Sequence, residues 1–147
     1  MRNATVSVLM VLLAATIFVV QPALAEPIET DVTVHAISKG AKFIGSSMDG
    51  ARITIENLET GEVLAEGTTT GSTGNTNRIM RQKHGRNRVL STDDTAKYTT
   101  TLSLDKPTRV RITAHGPLSN PEDANSASVT QTLLPGKDLT DGDGVRL

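Results

Sequence analysis

Apolar and polar side chains alternate at every second position in several short segments of the chain. In the clearest, Arg109 to His115, the residues Val110, Ile112 and Ala114 are separated by polar ones. A period of two is typical of a β-strand with one buried face. The same pattern predicts strands over residues 30–37, 51–56, 62–67, 96–104 and 126–134, with a further strand beginning at 145–147.

The alternation also predicts which side chains face the core. Val32 and Val34 should point inward and His35 outward, and Val63 and Ala65 should point inward. No helix longer than one turn is predicted after residue 25. Residues 57–61, which end in Gly61, predict the turn of a β-hairpin between 51–56 and 62–67.

Six or seven short strands joined by turn-rich loops predict an all-β fold. Each sheet would have one apolar face, and two such faces bury each other when the sheets stack. We therefore expect an antiparallel two-sheet sandwich, immunoglobulin-like or transthyretin-like. Residues 26–147 are long enough to form this as a single domain.

The first 25 residues have the three parts of a secretory signal peptide. Arg2 supplies a positive charge, residues 6–20 are nearly all apolar, and Ala23-Leu24-Ala25 matches the small-x-small cleavage pattern. The apolar run is shorter than the roughly 20 residues of a spanning helix. We expect cleavage after Ala25, no membrane anchor afterwards, and a periplasmic or secreted protein.

The amino-acid composition excludes or disfavours several classes of site and ligand. The chain has no cysteine, which excludes disulfides and thiolate metal sites. A net charge of −1 gives no general reason to expect nucleic acid as a partner. Phe43 and Tyr98 are the only aromatic residues after residue 25, which disfavours a sugar-stacking surface.

The predicted hairpin carries a family resemblance. Gly50 to Asn57, followed by Glu59-Thr60-Gly61, resembles the opening of carboxypeptidase regulatory-like domains, which are transthyretin-like sandwiches. Val110 to Gly116 and Leu134-Pro135-Gly136 resemble later strands of that family. The likeness covers roughly residues 30–136 and implies an accessory, non-catalytic module. The chain also resembles uncharacterised exported proteobacterial proteins that end in a Pro-Gly-Lys and Gly-Asp-Gly stretch.

Residues 68–95 depart from that family because they form a long insertion without hydrophobic periodicity. Such long loops are usually functional or disordered. The insertion contains a basic run and has no acidic residue before Asp93. Its candidate anion- or partner-binding residues are Arg78, Arg81, Lys83, His84, Arg86 and Arg88. Guanidinium groups suit oxyanions because they present paired donors, and a solvated loop is the alternative interpretation.

Two further groups are candidate metal ligands. Asp138, Asp141 and Asp143 place three carboxylates in a glycine-containing segment, which suits calcium, although the spacing differs from that of an EF-hand. Tight turns explain the same residues. A zinc site from His35 and His115 would require adjacent strands with facing side chains. No bound cofactor is predicted, and calcium at the three aspartates is the alternative to this.

No catalytic motif is present: the Gly-x-Ser-x-Gly elbow is missing, and Gly71-Ser72-Thr73-Gly74 lacks the ending of a phosphate loop. The leading hypothesis is an exported non-catalytic module that binds a partner protein or envelope component through residues 78–88. The alternatives are a calcium- or zinc-binding periplasmic protein, a hydrolase accessory domain, and a structural part of an envelope assembly.

Overall fold

A computed structural model describes residues 25–83, 85 and 88–147. Seven strands form two sheets that pack face to face. The strands are β1 (Ile28–His35), β2 (Arg52–Asn57), β3 (Val63–Thr68), β4 (Tyr98–Leu104), β5 (Thr108–Gly116), β6 (Asn125–Leu133) and β7 (Val145–Arg146). The predicted all-β two-sheet sandwich is confirmed.

The strand order is β4-β1-β7 in the smaller sheet and β3-β2-β5-β6 in the larger one. All pairs are antiparallel except β1 with β7, which is parallel. The predicted hairpin is present as β2 and β3, and β5 and β6 pair without a register shift along their whole length.

Side chains at alternate positions of both sheets form the main core. Val34 and Ile112 are representative, each with 0% exposure. The other core members include Val32, Ile53, Ile55, Leu102, Leu104, Val110 and Leu133. This is the inward set that a two-residue period predicts, and its burial is the main favourable contribution to stability.

Val63 was predicted to face inward, and this is wrong, because 52% of it is exposed. The register between β2 and β3 shifts at Ile55 and Glu56, so that Val63 pairs with Glu56 while Ala65 pairs with Ile55. The extra residue of this β-bulge, Leu64, places Val63 on the outward face with Glu56, while Ala65 keeps the inward face with Ile55. Leu64, in the bulge, packs partly against the core in its place.

Tyr98 of β4 joins the two sheets at the edge formed by β3 and β4. Its ring lies over Gly67 of β3, where an added Cβ would lie 2.1 Å from Tyr98 Cε2. The ring therefore fits only because residue 67 has no side chain. An aromatic side chain that covers a strand glycine is a known means of fixing strand register.

Thr33 and His35 lie on the face of β1 opposite to the main core, as the alternation predicts, but this face is covered as well, since His35 is 2% and Thr33 8% exposed. Both faces of the second half of β1 are therefore buried. Residues 88–97 and 138–144 supply the cover on the side opposite to the main core. Sequence alternation could not reveal this, since polar residues contribute much of the cover.

After Thr68, which ends β3, the described residues up to 95 form a short π-helical turn, Asn77–Arg81, and isolated bridges, as expected from their lack of hydrophobic periodicity. Several of them are nevertheless buried. Ile79 and Leu90 pack on Phe43 to form a second, smaller core, with Ile37 at its side. The described part of this insertion is therefore a layer packed against the sandwich. Among the described residues, no helix has the length and apolar character to span a membrane.

Candidate functional site

The basic run begins at the π-helical turn, whose Ile79 side chain packs against the sandwich. Asn75 Oδ1 accepts a hydrogen bond from the Arg78 backbone N–H at 3.0 Å, as in a helix cap. Ile79 then enters the second core with 6% exposure, while Met80 beside it is 50% exposed. The turn therefore buries Ile79 and leaves Met80 and the basic side chains on the surface.

Gly74 makes this attachment possible. Its φ of 83° lies in the region that favours glycine, and an added Cβ would lie 2.8 Å from Ile79 Cδ1 and 3.0 Å from Phe43 Cδ2. Both the backbone conformation and the close approach of Ile79 therefore require glycine at this position.

The three described arginines of the run, Arg78, Arg81 and Arg88, donate hydrogen bonds to neutral oxygen atoms. Arg78 Nε donates to the Val89 carbonyl at 3.0 Å, and Arg81 Nη1 donates to Asn77 Oδ1 at 3.1 Å. Arg88 Nη1 donates to the Lys83 carbonyl at 3.1 Å, and its Nη2 contacts Gln82 Oε1.

Within residues 25–83, 85 and 88–147, the ion pairs involve other cations. They join Arg52 to Glu66, Lys106 to Glu59, Arg111 to Glu56 and Arg146 to Asp143. The guanidinium groups of Arg78, Arg81 and Arg88 are thus oriented by neutral groups, and no described carboxylate forms an ion pair with them or with Lys83. Of the remaining predicted residues, His84 and Arg86 lie outside the described part of the chain.

Asp143 connects the end of this insertion to the C-terminal segment. Its carboxylate accepts hydrogen bonds from the backbone N–H groups of Leu90, at 3.0 and 3.1 Å, and Ser91, at 2.8 Å. Arg146 Nη1 donates to the same carboxylate at 2.6 Å, and only 8% of the Asp143 side chain is exposed. The carboxylate therefore fixes the position where the basic segment rejoins the fold.

The acidity of Asp143 follows from these contacts. Burial is the largest influence and raises its pKa. Hydrogen bonds from Ser91 and Leu90, together with the charge of Arg146, act the other way and leave the pKa below its ordinary value of 3.8. Asp143 is therefore ionised at neutral pH and accepts charge-assisted hydrogen bonds.

His35 lies beside this anchor and has a defined tautomer. Its Nδ1 is 2.9 Å from the Asp143 carbonyl oxygen. A carbonyl only accepts, so the hydrogen lies on Nδ1 and the lone pair on Nε2. The ring packs edge-on against Phe43, with 5.4 Å between centroids. Burial is the largest influence on the pKa of His35 and lowers it below its ordinary 6.5.

A polar cavity of about 440 Å³ adjoins His35. Thr33, Thr99 and Lys97 lie on one side of it, and Ser91, Thr92 and Asp93 are contributed by the insertion. Thr33 and Thr99 hydrogen-bond to each other through their hydroxyls at 3.2 Å. The hydroxyl groups of this cavity therefore share it with the side chains of His35, Asp93 and Lys97.

Two of the three aspartates proposed for calcium, Asp138 and Asp143, bind backbone N–H groups in different parts of the fold. Asp138 Oδ1 accepts the Asp31 backbone N–H at 2.8 Å, next to β1, whereas the Asp143 carboxylate contacts Leu90 and Ser91. In the described part of the chain, no group of three or more His, Asp or Glu side chains could hold a metal ion. Asp138 and Asp143 therefore act in this structure as backbone-capping groups.

The zinc site from His35 and His115 requires adjacent strands, and the topology contradicts this. β1 and β5 lie in different sheets. His115 is exposed on the outer side of the larger sheet, where its Nδ1 is 2.9 Å from Ser126 Oγ, while His35 is buried near Asp143. Side-chain parity alone could not distinguish these two positions.

Sequence reasoning identified the basic run but missed the residues that position it. Ile79 and Leu90 carry the only available signal, as isolated apolar residues in a polar stretch; nothing in the sequence pairs Asp143 with Ser91. No protein-family model matches the chain, and neither the curated proteins nor the solved structures include a significant match to it.

Proposed function

We propose that this protein is an exported, non-catalytic β-sandwich module that binds an anionic envelope component or partner protein through residues 78–88. One observation carries the proposal: Arg78 and Arg81 on the packed turn, and Lys83 and Arg88 after it, have no carboxylate partner in the described chain. Elsewhere on the larger sheet, the exposed Arg52 and Arg111 face glutamates. Unneutralised cations attract oxyanions and accelerate association with them.

The second core gives this segment a firm support. Ile79 and Leu90 are 6% and 7% exposed, and the Asp143 carboxylate accepts hydrogen bonds from the backbone N–H groups of Leu90 and Ser91. A segment anchored at both ends loses less conformational entropy on binding than a free loop would. The support thus favours binding over a merely solubilising role for the basic residues.

The experiment compares retention on an anionic polysaccharide matrix between two variants of equal charge. The first replaces Arg78, Arg81, Lys83 and Arg88 with glutamine. The matched control replaces Arg52, Lys106, Arg109 and Arg111, which are exposed on or next to the larger sheet. We expect the first variant to elute at markedly lower salt than the wild type and the control to elute near it. Equal elution of the two variants would refute the proposal.

A further inference from the structure

An open cleft of about 720 Å³ adjoins the basic segment. It lies between the turn after β1, the π-helical turn and β7. Its apolar floor is formed by Ile37, Met80 and Leu90, and cationic Lys39, Lys83 and Arg146 contribute to its lining. The volume is within the range of ligand pockets, roughly 300–1,000 Å³.

The charges of this cleft are of one sign. None of its lining residues is acidic. Arg146 is paired with Asp143, whereas Lys39 and Lys83 make no ion pair within the described residues. An occupant that neutralises the two lysines therefore carries an anionic group, and the floor requires that the rest of it be apolar.

The chemistry of the floor favours a flexible aliphatic chain. Met80 is 50% exposed, and methionine adapts to irregular apolar surfaces. Two hydrogen bonds already close the neighbouring turn: Ser38 N–H donates to the Lys42 carbonyl at 3.1 Å, and the Ser38 carbonyl accepts from Ala41 N–H at 3.0 Å. The Ser38 backbone is therefore not available to pair with a peptide, whereas an acyl chain needs no such partner.

We propose that the cleft binds a single-chain amphiphile with an acidic headgroup, of the fatty-acid type. The acyl chain lies on Ile37 and Met80, and the headgroup is held by Lys39 and Lys83. This assignment rests on the proposed function, because it names the class of anion that the basic segment takes. It also goes further, since it adds an apolar contact that a polyanion would not use.

The test is calorimetric titration of the purified protein below the micellar concentration of each probe. Dodecanoate should bind saturably, whereas dodecyltrimethylammonium, with the same chain and opposite charge, and acetate, with the headgroup alone, should bind at least about tenfold more weakly. Equal binding of both dodecyl probes, or no saturable binding of dodecanoate, would overturn the proposal.

Two variants, each with a matched control, test whether dodecanoate binds in this cleft. Met80→Ser should weaken dodecanoate binding about fivefold or more without changing retention on the polysaccharide, since only apolar contact is lost. Val63→Ser, at an equally exposed apolar position on β3, should change neither. Lys83→Glu should weaken dodecanoate binding, and Lys137→Glu, at an exposed turn, should not. Unchanged dodecanoate affinity in Met80→Ser and Lys83→Glu would refute this site.

The outcomes also separate this inference from the proposed function. Retention on the anionic polysaccharide without dodecanoate binding would sink the amphiphile assignment and leave the proposed function standing. Failure of both assays would refute the two together.

Discussion

The carboxylate of Asp143 accepts the backbone N–H of Ser91 at 2.8 Å, across more than fifty residues of sequence. This contact ties the end of the long insertion to the C-terminal segment, next to the cationic cleft. The Asp143 carboxylate therefore fixes the position at which the basic segment rejoins the sandwich. It also makes the stability of the fold sensitive to the charge at residue 143.

Asp143→Asn should lower the free energy of unfolding by about 1.5–3 kcal/mol, because hydrogen bonds to a charged acceptor become neutral ones and one can be lost. Urea unfolding followed by far-ultraviolet circular dichroism measures this. Asp141→Asn is the matched control in the same segment; its side chain is exposed, and the expected change is within about 0.5 kcal/mol. Equal stability of the two variants would contradict the anchoring role.

The pH dependence of stability in the wild type and in Asp143→Asn tests the same contact a second time. The folded pKa of Asp143 is lowered below 3.8, so its ionised form stabilises the fold above that pH. This contribution is lost as pH falls through the folded pKa. The stability difference between wild type and Asp143→Asn should therefore shrink in acid, and a difference that stays constant down to acid unfolding would argue against a charge effect.

His35 should make the protein less stable in mild acid. Its pKa is lowered in the folded state, so below about pH 6.5 the unfolded chain takes up the proton first. Stability is then fully present above that pH and falls by up to about 1.4 kcal/mol per pH unit until the folded pKa is reached. Urea unfolding between pH 8 and pH 5 measures the slope.

His35→Asn separates the titration from the contact. Its side-chain amide can still donate to the Asp143 carbonyl, but it carries no proton that titrates in this range. We expect a smaller slope in this variant and an unchanged slope in His115→Asn, which alters an exposed histidine of β5. A wild-type stability that is flat between pH 8 and pH 5 would show that His35 is not the group concerned.

Ile79 should control how firmly the basic segment is attached. Ile79→Ala removes a buried side chain from the second core and should reduce stability by about 2–4 kcal/mol if the whole fold depends on it. Detachment of the segment alone would instead appear as faster tryptic cleavage at Arg78 and Arg81. Met80→Ala, in the same turn but half exposed, is the matched control. Identical cleavage rates and stabilities for both variants would contradict the attachment.

Gly67 should be intolerant of any side chain because Tyr98 occupies the space above it. Gly67→Ala forces the Tyr98 ring to move and should destabilise the protein by about 1–3 kcal/mol. Gly85→Ala is the control, since an added Cβ meets no atom within 4 Å there. Thermal unfolding monitored by circular dichroism compares the two, and equal midpoints would mean that the ring does not hold β3 and β4 together.

The alternating pattern was sufficient to predict the two-sheet sandwich, because a strand with one apolar face must bury that face whatever its neighbours are. Val110, Ile112 and Ala114 lie where the pattern predicted. Val63 does not, because a β-bulge at Leu64 moves it to the outward face, and a bulge leaves no mark in the hydrophobic period of so short a strand.

The basic run could be recognised from residue type alone, since clustered positive charge needs no structural context. Its chemistry could not be completed in this way. Residues distant in sequence decide whether Arg78 faces a carboxylate and whether His35 is buried. They also decide whether Met80 and Lys39 line the same cleft.

The order of residues was therefore enough to predict the strand class, the inward faces of most strands and the location of the unusual charge. Three-dimensional packing was needed to establish that the insertion packs on Phe43, that Asp143 accepts backbone hydrogen bonds, and that a cationic cleft with an apolar floor exists. The two sets of features differ in the sequence separation of the residues that produce them. Alternation is a local property of the chain, whereas caps, clefts and charge compensation arise where separate segments meet.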